Sequence, residues 1–490
     1  MRPEHKSLSV LLREYAASEP NRRLLGSENR WYTAGEMQAH AAAEACWLRT
    51  QGIRPGDFVA LSASRSASTA VCLFGLRLLG CAAVLTDPHA TPEAFLAECA
   101  AGLPAAAVLE PGADGRVTLR RQGEAITFDP FSLPAADAAL PEAPSDQAGY
   151  VIFTSGSTGQ RKAVLLSDDQ FYNNLLDSQP LGKYRGDDIA LGILPLEHVF
   201  GLVLLFGAAA LRYALFFPGK TDPASLVNAI ETQGITRMNG VPSQYIALAE
   251  AKGVRPLPTL SAGFIGGSPL APDTFIRLEK KLGMTLIPVY GMSECVGISC
   301  ASWEDSAEVR AQTVGRFYSM NRGVILREDG SEAQTGQSGE ICVDGPSRML
   351  GYYGAPEARE RFFRTGDLGY LDQDGRLHLT GRRKEIIIRN GKNLSPARIE
   401  QALLRLPQVK AAAVVGLPDE KAGEVPGAVA VCEGAEKTEA ALLQALAPLL
   451  PKNERPAALR VVKEIPLLPT GKPDKMRIRK ELLQWLNRSS

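Results

Sequence analysis

The sequence predicts an α/β protein in two parts: a large N-terminal α/β domain of several subdomains, one of them β-rich, and a small α+β domain at the C-terminus. Three observations carry this. Up to about residue 300, strand-sized apolar runs alternate with alanine- and leucine-rich windows of helical period. From Val314 to Leu379 the helical windows thin out, and turns such as Glu328-Asp329-Gly330 and Asp372-Gln373-Asp374-Gly375 separate short strands. After Gly381 a run of cations leads into α+β patterning about a hundred residues long, an ordinary size for a small domain. The length agrees, since 490 residues exceed what one core usually supports.

Taken in order, Met37 to Arg49 reads as a helix, and Phe58 to Ser62 and Ala82 to Thr86 as strands. Ala135 to Ala148 carries Pro141 and Pro144 among alanines and reads as a loop feeding a strand at Tyr150 to Phe153. Ile189 to Leu194, Leu215 to Phe217 and Leu286 to Val289 are strand candidates, alternating with helical windows at Pro223 to Thr232 and Ala271 to Leu282. The longest apolar segment, Val199 to Leu211, has thirteen residues, too few to span a bilayer, and reads as a buried helix. The β-rich part covers about residues 314–381. Beyond Arg382-Arg383-Lys384, Ile386 to Ile388 is strand-like and Ser395-Pro396 opens a helix with its proline in the first turn. Ala411 to Val415 and Ala428 to Val431 are strand candidates, and Lys437 to Leu449 and Lys475 to Trp485 helical windows. The large domain is thus expected at 1–381 and the small one at 385–490.

The 54 basic and 54 acidic residues cancel, which gives no support for nucleic acid or an anionic membrane as a bulk partner. Small anions held by a few placed cations fit better. The eight cysteines, Cys46, Cys72, Cys81, Cys99, Cys295, Cys300, Cys342 and Cys432, show no C-x-x-C spacing and read as reduced core thiols. Met1 to Ser9 is mostly polar, without secretory character, so the expected compartment is the cytoplasm, with no integral membrane segment.

The densest chemistry lies at Thr154-Ser155-Gly156-Ser157-Thr158-Gly159-Gln160-Arg161-Lys162, directly after the apolar Tyr150 to Phe153. A strand delivers the chain, the glycines let the backbone turn its N–H groups toward an anion, and the hydroxyls add donors beside them. Arg161 and Lys162 supply positive charge. A P-loop would need glycine where Arg161 stands, and no G-x-G-x-x-G fingerprint occurs, so this is a different kind of phosphate loop.

Farther along stand Tyr290-Gly291-Met292-Ser293-Glu294, Arg364-Thr365-Gly366-Asp367, Gly381-Arg382-Arg383-Lys384-Glu385 and Pro469-Thr470-Gly471-Lys472. With the loop, in that order, these segments resemble the adenylate-forming superfamily of acyl- and aryl-CoA ligases, peptide-synthetase adenylation domains and luciferases, from about residue 10 to about residue 485. The resemblance implies ATP, Mg²⁺ and a thiol acceptor, coenzyme A or a carrier-protein phosphopantetheine. It assigns the 154–162 loop to the β- and γ-phosphates and Glu294 to Mg²⁺, beside the Ser293 hydroxyl. Asp367 is assigned to the ribose hydroxyls, and the adenine to Gly266-Gly267-Ser268 and Val289-Tyr290-Gly291, where Tyr290 would offer a ring face. Arg382 matches an arginine near the nucleotide. Lys472 would bridge the attacking carboxylate and the phosphate, a task suited to a flexible point charge. Residues 382–384 become a hinge centred on Lys384, and the small domain becomes mobile, withdrawing Lys472 after adenylation and presenting Gly391 and Lys392 to the thiol.

Pro195-Leu196-Glu197-His198-Val199-Phe200-Gly201 resembles the segment that walls the acyl pocket of CoA ligases, with His198 near the carboxylate. Amino-acid-activating relatives carry an aspartate shortly after such a phenylalanine; none follows here, which argues against an α-amino acid and leaves a fatty or aromatic acid. The chain departs from the family where Arg161 and Ala163 replace proline and glycine and Ser293 replaces threonine, yet every charged family position is filled. Gly416-Leu417-Pro418-Asp419 with Gly423-Glu424-Val425-Pro426 looks more like CoA ligases than carrier-protein loaders. An acyl carrier protein stays open as the acceptor, and so does a non-catalytic nucleotide-binding protein that keeps the fold, although such a protein would have no use for Lys472.

Overall fold

The computed structural model describes residues 5–28, 30–91, 102–135, 143–155, 161–251, 256–355, 360–419, 421–433, 438–467 and 473–489. Two large sheets and a four-stranded sheet make up the chain as far as Arg382, and a smaller sheet follows. In the first large sheet, Ala82–Thr86 pairs in parallel with both Phe58–Ser62 and Tyr150–Ser155. It continues through Arg161–Leu166 to an edge at Gly351–Tyr352. The centre of the second is parallel, Ile189–Leu191 beside Arg237–Met238, then Ala262–Ile265 and Thr285–Met292. Parallel strands buried on both faces need continuous apolar runs, and all five residues of Ala82–Thr86 are buried.

Local signals set the helix ends. Thr33 and Glu36 close a capping box at the start of Ala34–Thr50, the threonine hydroxyl accepting from Glu36 N at 3.2 Å and the glutamate from Thr33 N at 2.8 Å. Asp222 caps Pro223–Gln233, whose proline sits at the first turn and whose end is a left-handed Gly234. Val199–Leu211 is the buried helix expected from its apolar run. No helix among the described residues is long and apolar enough to cross a membrane. The expected strand Ile189 to Leu194 stops at Leu191, because Gly192 lies under the Phe217 ring and Pro195 follows. The expected helix over Lys437 to Leu449 is described as Glu439–Leu446, after which Ala447, although just before Pro448, keeps right-handed helical angles at the cap; Lys437 lies outside the described residues.

The four-stranded sheet, Arg322–Leu326, Gly339–Asp344, Phe363–Leu371 and Leu377–Arg382, is antiparallel throughout. Beyond the 3₁₀ turn Arg383–Glu385, the long hairpin Val409–Asp419 with Gly423–Cys432 carries the last sheet. Two apolar clusters of its own, one around Ile399, Leu403 and Leu446 and one around Leu417, Ile478 and Leu482, fill its two faces. Seven cysteines are described, none in a disulfide; Cys72, Cys81, Cys295, Cys300 and Cys342 are buried. Burial pushes the Cys342 thiol up to about 11 and those of Cys81 and Cys295 up to about 12.

Candidate functional site

The strand expected before the phosphate loop runs Tyr150–Ser155, and a return strand that the sequence did not reveal, Arg161–Leu166, pairs with it as far as Thr154↔Lys162 and Ser155↔Arg161. Gly156, Ser157, Thr158 and Gly159 lie outside the described residues. The base of this hairpin is anchored by a buried ion pair. Arg77 Nη2 donates to Asp168 Oδ2 at 2.6 Å, and the Tyr150 hydroxyl donates to Asp168 Oδ1 at 2.6 Å. With Arg77 2% and Asp168 0% exposed, removing either partner would leave an uncompensated buried charge, so the pair fixes the strand entering the loop.

Glu294 stands with Ser293 in a two-residue turn between Thr285–Met292 and Cys295–Cys300, where Met292 faces Cys295. The Tyr352 hydroxyl donates to Glu294 Oε1 at 2.9 Å, and Lys162 Nζ lies 4.8 Å from the centre of the same tyrosine ring. Tyr352 reaches this place because Gly351–Tyr352 pairs along Arg161–Leu166, with Tyr352 opposite Val164. The cation of the phosphate loop and the carboxylate of the Ser293-Glu294 turn thus meet on one aromatic side chain. The described residues contain no group of three or more metal-ligating side chains. A single carboxylate, with phosphate oxygens and water completing the shell, is the usual magnesium arrangement, and Glu294 fits it.

Asp367 belongs to a β-bulge. Glu340 faces Leu368 and Cys342 faces Arg364, so Thr365, Gly366 and Asp367 stand opposite the single Ile341. Gly366 takes φ +73°, a left-handed angle that suits glycine. The Thr365 hydroxyl donates to Ile341 O at 2.8 Å and accepts from Asp367 N at 3.1 Å. The bulge turns the Asp367 carboxylate toward Tyr290, whose hydroxyl donates to Oδ2 at 2.7 Å, and toward Arg382, whose Nε lies 3.0 Å from Oδ1. Tyr290 therefore differs from the expected open ring face. Its ring is packed in the cluster of Ile298, Ile341 and Val343, and burial, then Asp367, drive its hydroxyl pKa up.

The glycine segments expected to meet the adenine are packed close to neighbouring strand backbone. A Cβ on Gly266 would lie 2.9 Å from Val289 O, and one on Gly291 2.9 Å from Gly297 N. Gly266, Gly267 and Ser268 follow the end of Ala262–Ile265, beside Val289 and Tyr290 on the neighbouring strand. Ligands of parallel α/β sheets sit at these carboxyl ends.

Lys384 is the exposed middle residue of the 3₁₀ turn Arg383–Glu385. Charged contacts hold its neighbours to opposite sides. Arg382 pairs with Asp367, and Arg383 Nη1 donates to Glu340 Oε2 at 3.2 Å, both toward the four-stranded sheet. Glu385 accepts from Lys475 Nζ at 2.6 Å, and Lys475 also pairs with Glu400 at 3.2 Å, both in the small domain. Burial alone would lower the Lys475 pKa, but Glu400 and Glu385 reverse this and raise it. Lys392 is exposed and follows Asn390 and Gly391, whose φ values of +51° and +72° make the tight hairpin turn between Ile387–Arg389 and Lys392–Leu394. Lys472 lies outside the described residues; on either side of its loop, Leu467 bridges to Pro473.

His198 is the cap residue of Val199–Leu211, and its carbonyl accepts from Leu202 N at 3.1 Å. The structure adds its neighbour Glu197, which burial pushes up to about 7, with Asp87 raising it further and Arg65 opposing. Arg65 itself donates to Ile193 O at 2.6 Å, which puts a cation beside the segment expected to wall the acyl pocket, the segment that contains Glu197. Sequence reasoning assigned Tyr352, Glu340 and Lys475 no role at the site, and named Glu385 only as the last residue of a motif. The aromatic pair Tyr352-Tyr353 between glycines was the one visible signal, and nothing near it in sequence indicated Glu294.

Residues 12–353 match the AMP-binding enzyme family, and residues 398–472 the AMP-binding enzyme C-terminal domain. The chain is 30% identical over 469 residues to a feruloyl-CoA synthase of Amycolatopsis sp, covering 91% of this chain and 93% of the relative. It is 34% identical over 370 residues to a sulfoacetate–CoA ligase of Cupriavidus necator, 71% of each chain. The ATP-bound crystal structure of MatB from Rhodopseudomonas palustris superposes with a TM-score of 0.86 at 25% identity, covering 96% of this chain and 98% of that one.

Proposed function

The chain belongs to the AMP-binding enzyme family, and on that premise we propose that it is an acid–thiol ligase. It activates a carboxylic acid with ATP as an acyl-adenylate, releasing pyrophosphate, and passes the acyl group to the thiol of coenzyme A. The observation that carries this reading is the shared Tyr352, which ties Lys162 of the phosphate loop to Glu294. A nucleotide triphosphate with its metal calls for a cation and a carboxylate on one surface, and this pair of contacts supports that reading.

Forming a mixed anhydride brings two anions together, so positioning and charge stabilisation do most of the work. In this reading Lys162 and the loop N–H groups hold the β- and γ-phosphates. Glu294 would hold Mg²⁺, which would supply charge neutralisation at the phosphates. Asp367, kept in place by Tyr290 and Arg382, takes the ribose hydroxyls, and Lys472 draws the carboxylate onto the α-phosphate. Lys384 then serves as the pivot that removes Lys472 and brings the Asn390-Gly391 turn, with Lys392, toward the thiol. Arg65 and Glu197 border the acid's pocket beside His198. The acid is fatty or aromatic; its named relatives act on a feruloyl group and on sulfoacetate.

ATP–pyrophosphate exchange across a panel of fatty, aromatic, sulfonated and amino acids tests the reading, followed by thioester formation with free coenzyme A and with a phosphopantetheinylated carrier protein. Acid-dependent exchange and a free CoA thioester are expected. No exchange with any acid would leave a nucleotide-binding protein without ligase activity, and a thioester on the carrier alone would change the acceptor.

A further inference from the structure

We propose that Glu340 is a positioning residue for the nucleotide site, setting the place of Asp367 through the backbone of Gly366. The inference rests on the reading of Asp367 as the ribose partner. Glu340 is a carboxylate only 6% exposed, on Gly339–Asp344, and it holds no position in the motifs that carry the family resemblance. A buried carboxylate needs several donors, and this one has them. Its Oε1 accepts from Gly366 N at 3.2 Å, and its Oε2 accepts from the Arg364 guanidinium and from Arg383 Nη1 at 3.2 Å.

The placement of these donors is informative. Gly366 is the left-handed residue of the bulge and immediately precedes Asp367, so the bond to its N–H fixes the peptide that aims the aspartate. Ladder pairing cannot do this, since the bulge interrupts the ladder opposite Ile341. Arg364, at the other end of the bulge, is brought to the same carboxylate, so Glu340 grips the inserted residues from both sides. Tyr290 and Arg382 hold the Asp367 carboxylate itself; Glu340 holds the backbone beneath it.

The readout is discrimination between ATP and 2′-deoxy-ATP, taken as the ratio of their kcat/KM values in pyrophosphate exchange with the best acid of the panel. A residue that merely supports the fold lowers both values together and leaves the ratio alone. Asp367→Ala sets the reference for lost ribose recognition. Glu340→Ala, confirmed as folded by circular dichroism, is expected to lose about tenfold or more of the ratio, the scale of one charged hydrogen bond. Glu340→Gln keeps the volume and one acceptor oxygen; it is expected to fall between parent and alanine variant and carries the test if Glu340→Ala does not fold. A parent-like ratio in every folded Glu340 variant, with a collapsed ratio in Asp367→Ala, would overturn the positioning proposal and leave the ribose reading standing. A parent-like ratio in Asp367→Ala would remove the ribose reading, and the proposal with it.

Discussion

Replacing Glu44 by glutamine should make the large domain more stable as pH rises, by an amount the structure sets. Glu44 lies on Ala34–Thr50, is 0% exposed, and its carboxyl sits against Gly75 of the helix Ala67–Leu79, where a Cβ would lie 3.5 Å from its Cδ. Burial pushes its pKa from 4.5 up to about 8, with the nearby Cys72 thiol offsetting only part of the shift. The folded protein therefore holds this proton more tightly than the unfolded chain. Its contribution is fully present below pH 4.5 and is lost as pH rises through about 8. At about 1.4 kcal/mol per pH unit the loss approaches roughly 5 kcal/mol. Glutamine has the same shape and never ionises, so the variant avoids this loss. The assay is the difference in thermal midpoint between variant and parent, in buffers from about pH 5 to about pH 9. With roughly 2 °C per kcal/mol for a large domain, the gap should widen toward about 10 °C at the alkaline end. A gap that stays constant or narrows with rising pH would refute the reasoning, because it would mean that Glu44 is ionised in the folded protein.

Three further outcomes follow from the proposed mechanism. Lys472→Ala should nearly abolish acyl-adenylate formation while thioester formation from supplied acyl-adenylate stays largely intact; equal loss in both half-reactions would take the lysine out of this role. Glu294→Gln should raise the magnesium concentration needed for half-maximal exchange by about tenfold, since one hard ligand is lost, and an unchanged titration would make Glu294 an ordinary acidic residue. Lys384→Pro should preserve pyrophosphate exchange yet lower thioester formation by about two orders of magnitude, because proline fixes φ where the chain has to turn. Single-turnover transfer to CoA as fast as in the parent would dismiss Lys384 as the pivot.

What the sequence revealed, and what it did not, follows from the range of the interactions. Phe58–Ser62, Ala82–Thr86 and Val199–Leu211 lie where their apolar runs place them, since a strand or helix buried on all sides writes its length directly into composition. The turn at Ser395-Pro396 and the glycines of the loops are equally local. Tyr352 was hidden because its link to Glu294 crosses 58 positions and depends on an edge strand of two residues. Asp367 was legible as part of a motif, but the bulge that contains it exists only when Gly339–Asp344 pairs beside it. Tyr290 looked like an open aromatic face because nothing local indicates that Ile298, Ile341 and Val343 close around its ring. Glu44 was invisible for the opposite reason, as an acid among alanines reads as a solvated helix position until a second helix covers it.

The buried thiols have a consequence for an enzyme whose second substrate is itself a thiol. Coenzyme A exchanges with protein disulfides and, once oxidised, attaches to exposed cysteine thiolates as a mixed disulfide. Only the thiolate reacts, and a thiol held near 11 or 12 presents about one reactive anion in ten thousand or fewer at neutral pH. Cys342, Cys81 and Cys295 are in this state. Cys295, one residue after Glu294, is 0% exposed and shares its sulfur with the Ser347 hydroxyl at 3.2 Å. A cysteine beside the proposed metal carboxylate is thereby kept inert toward the sulfur of a thiol substrate.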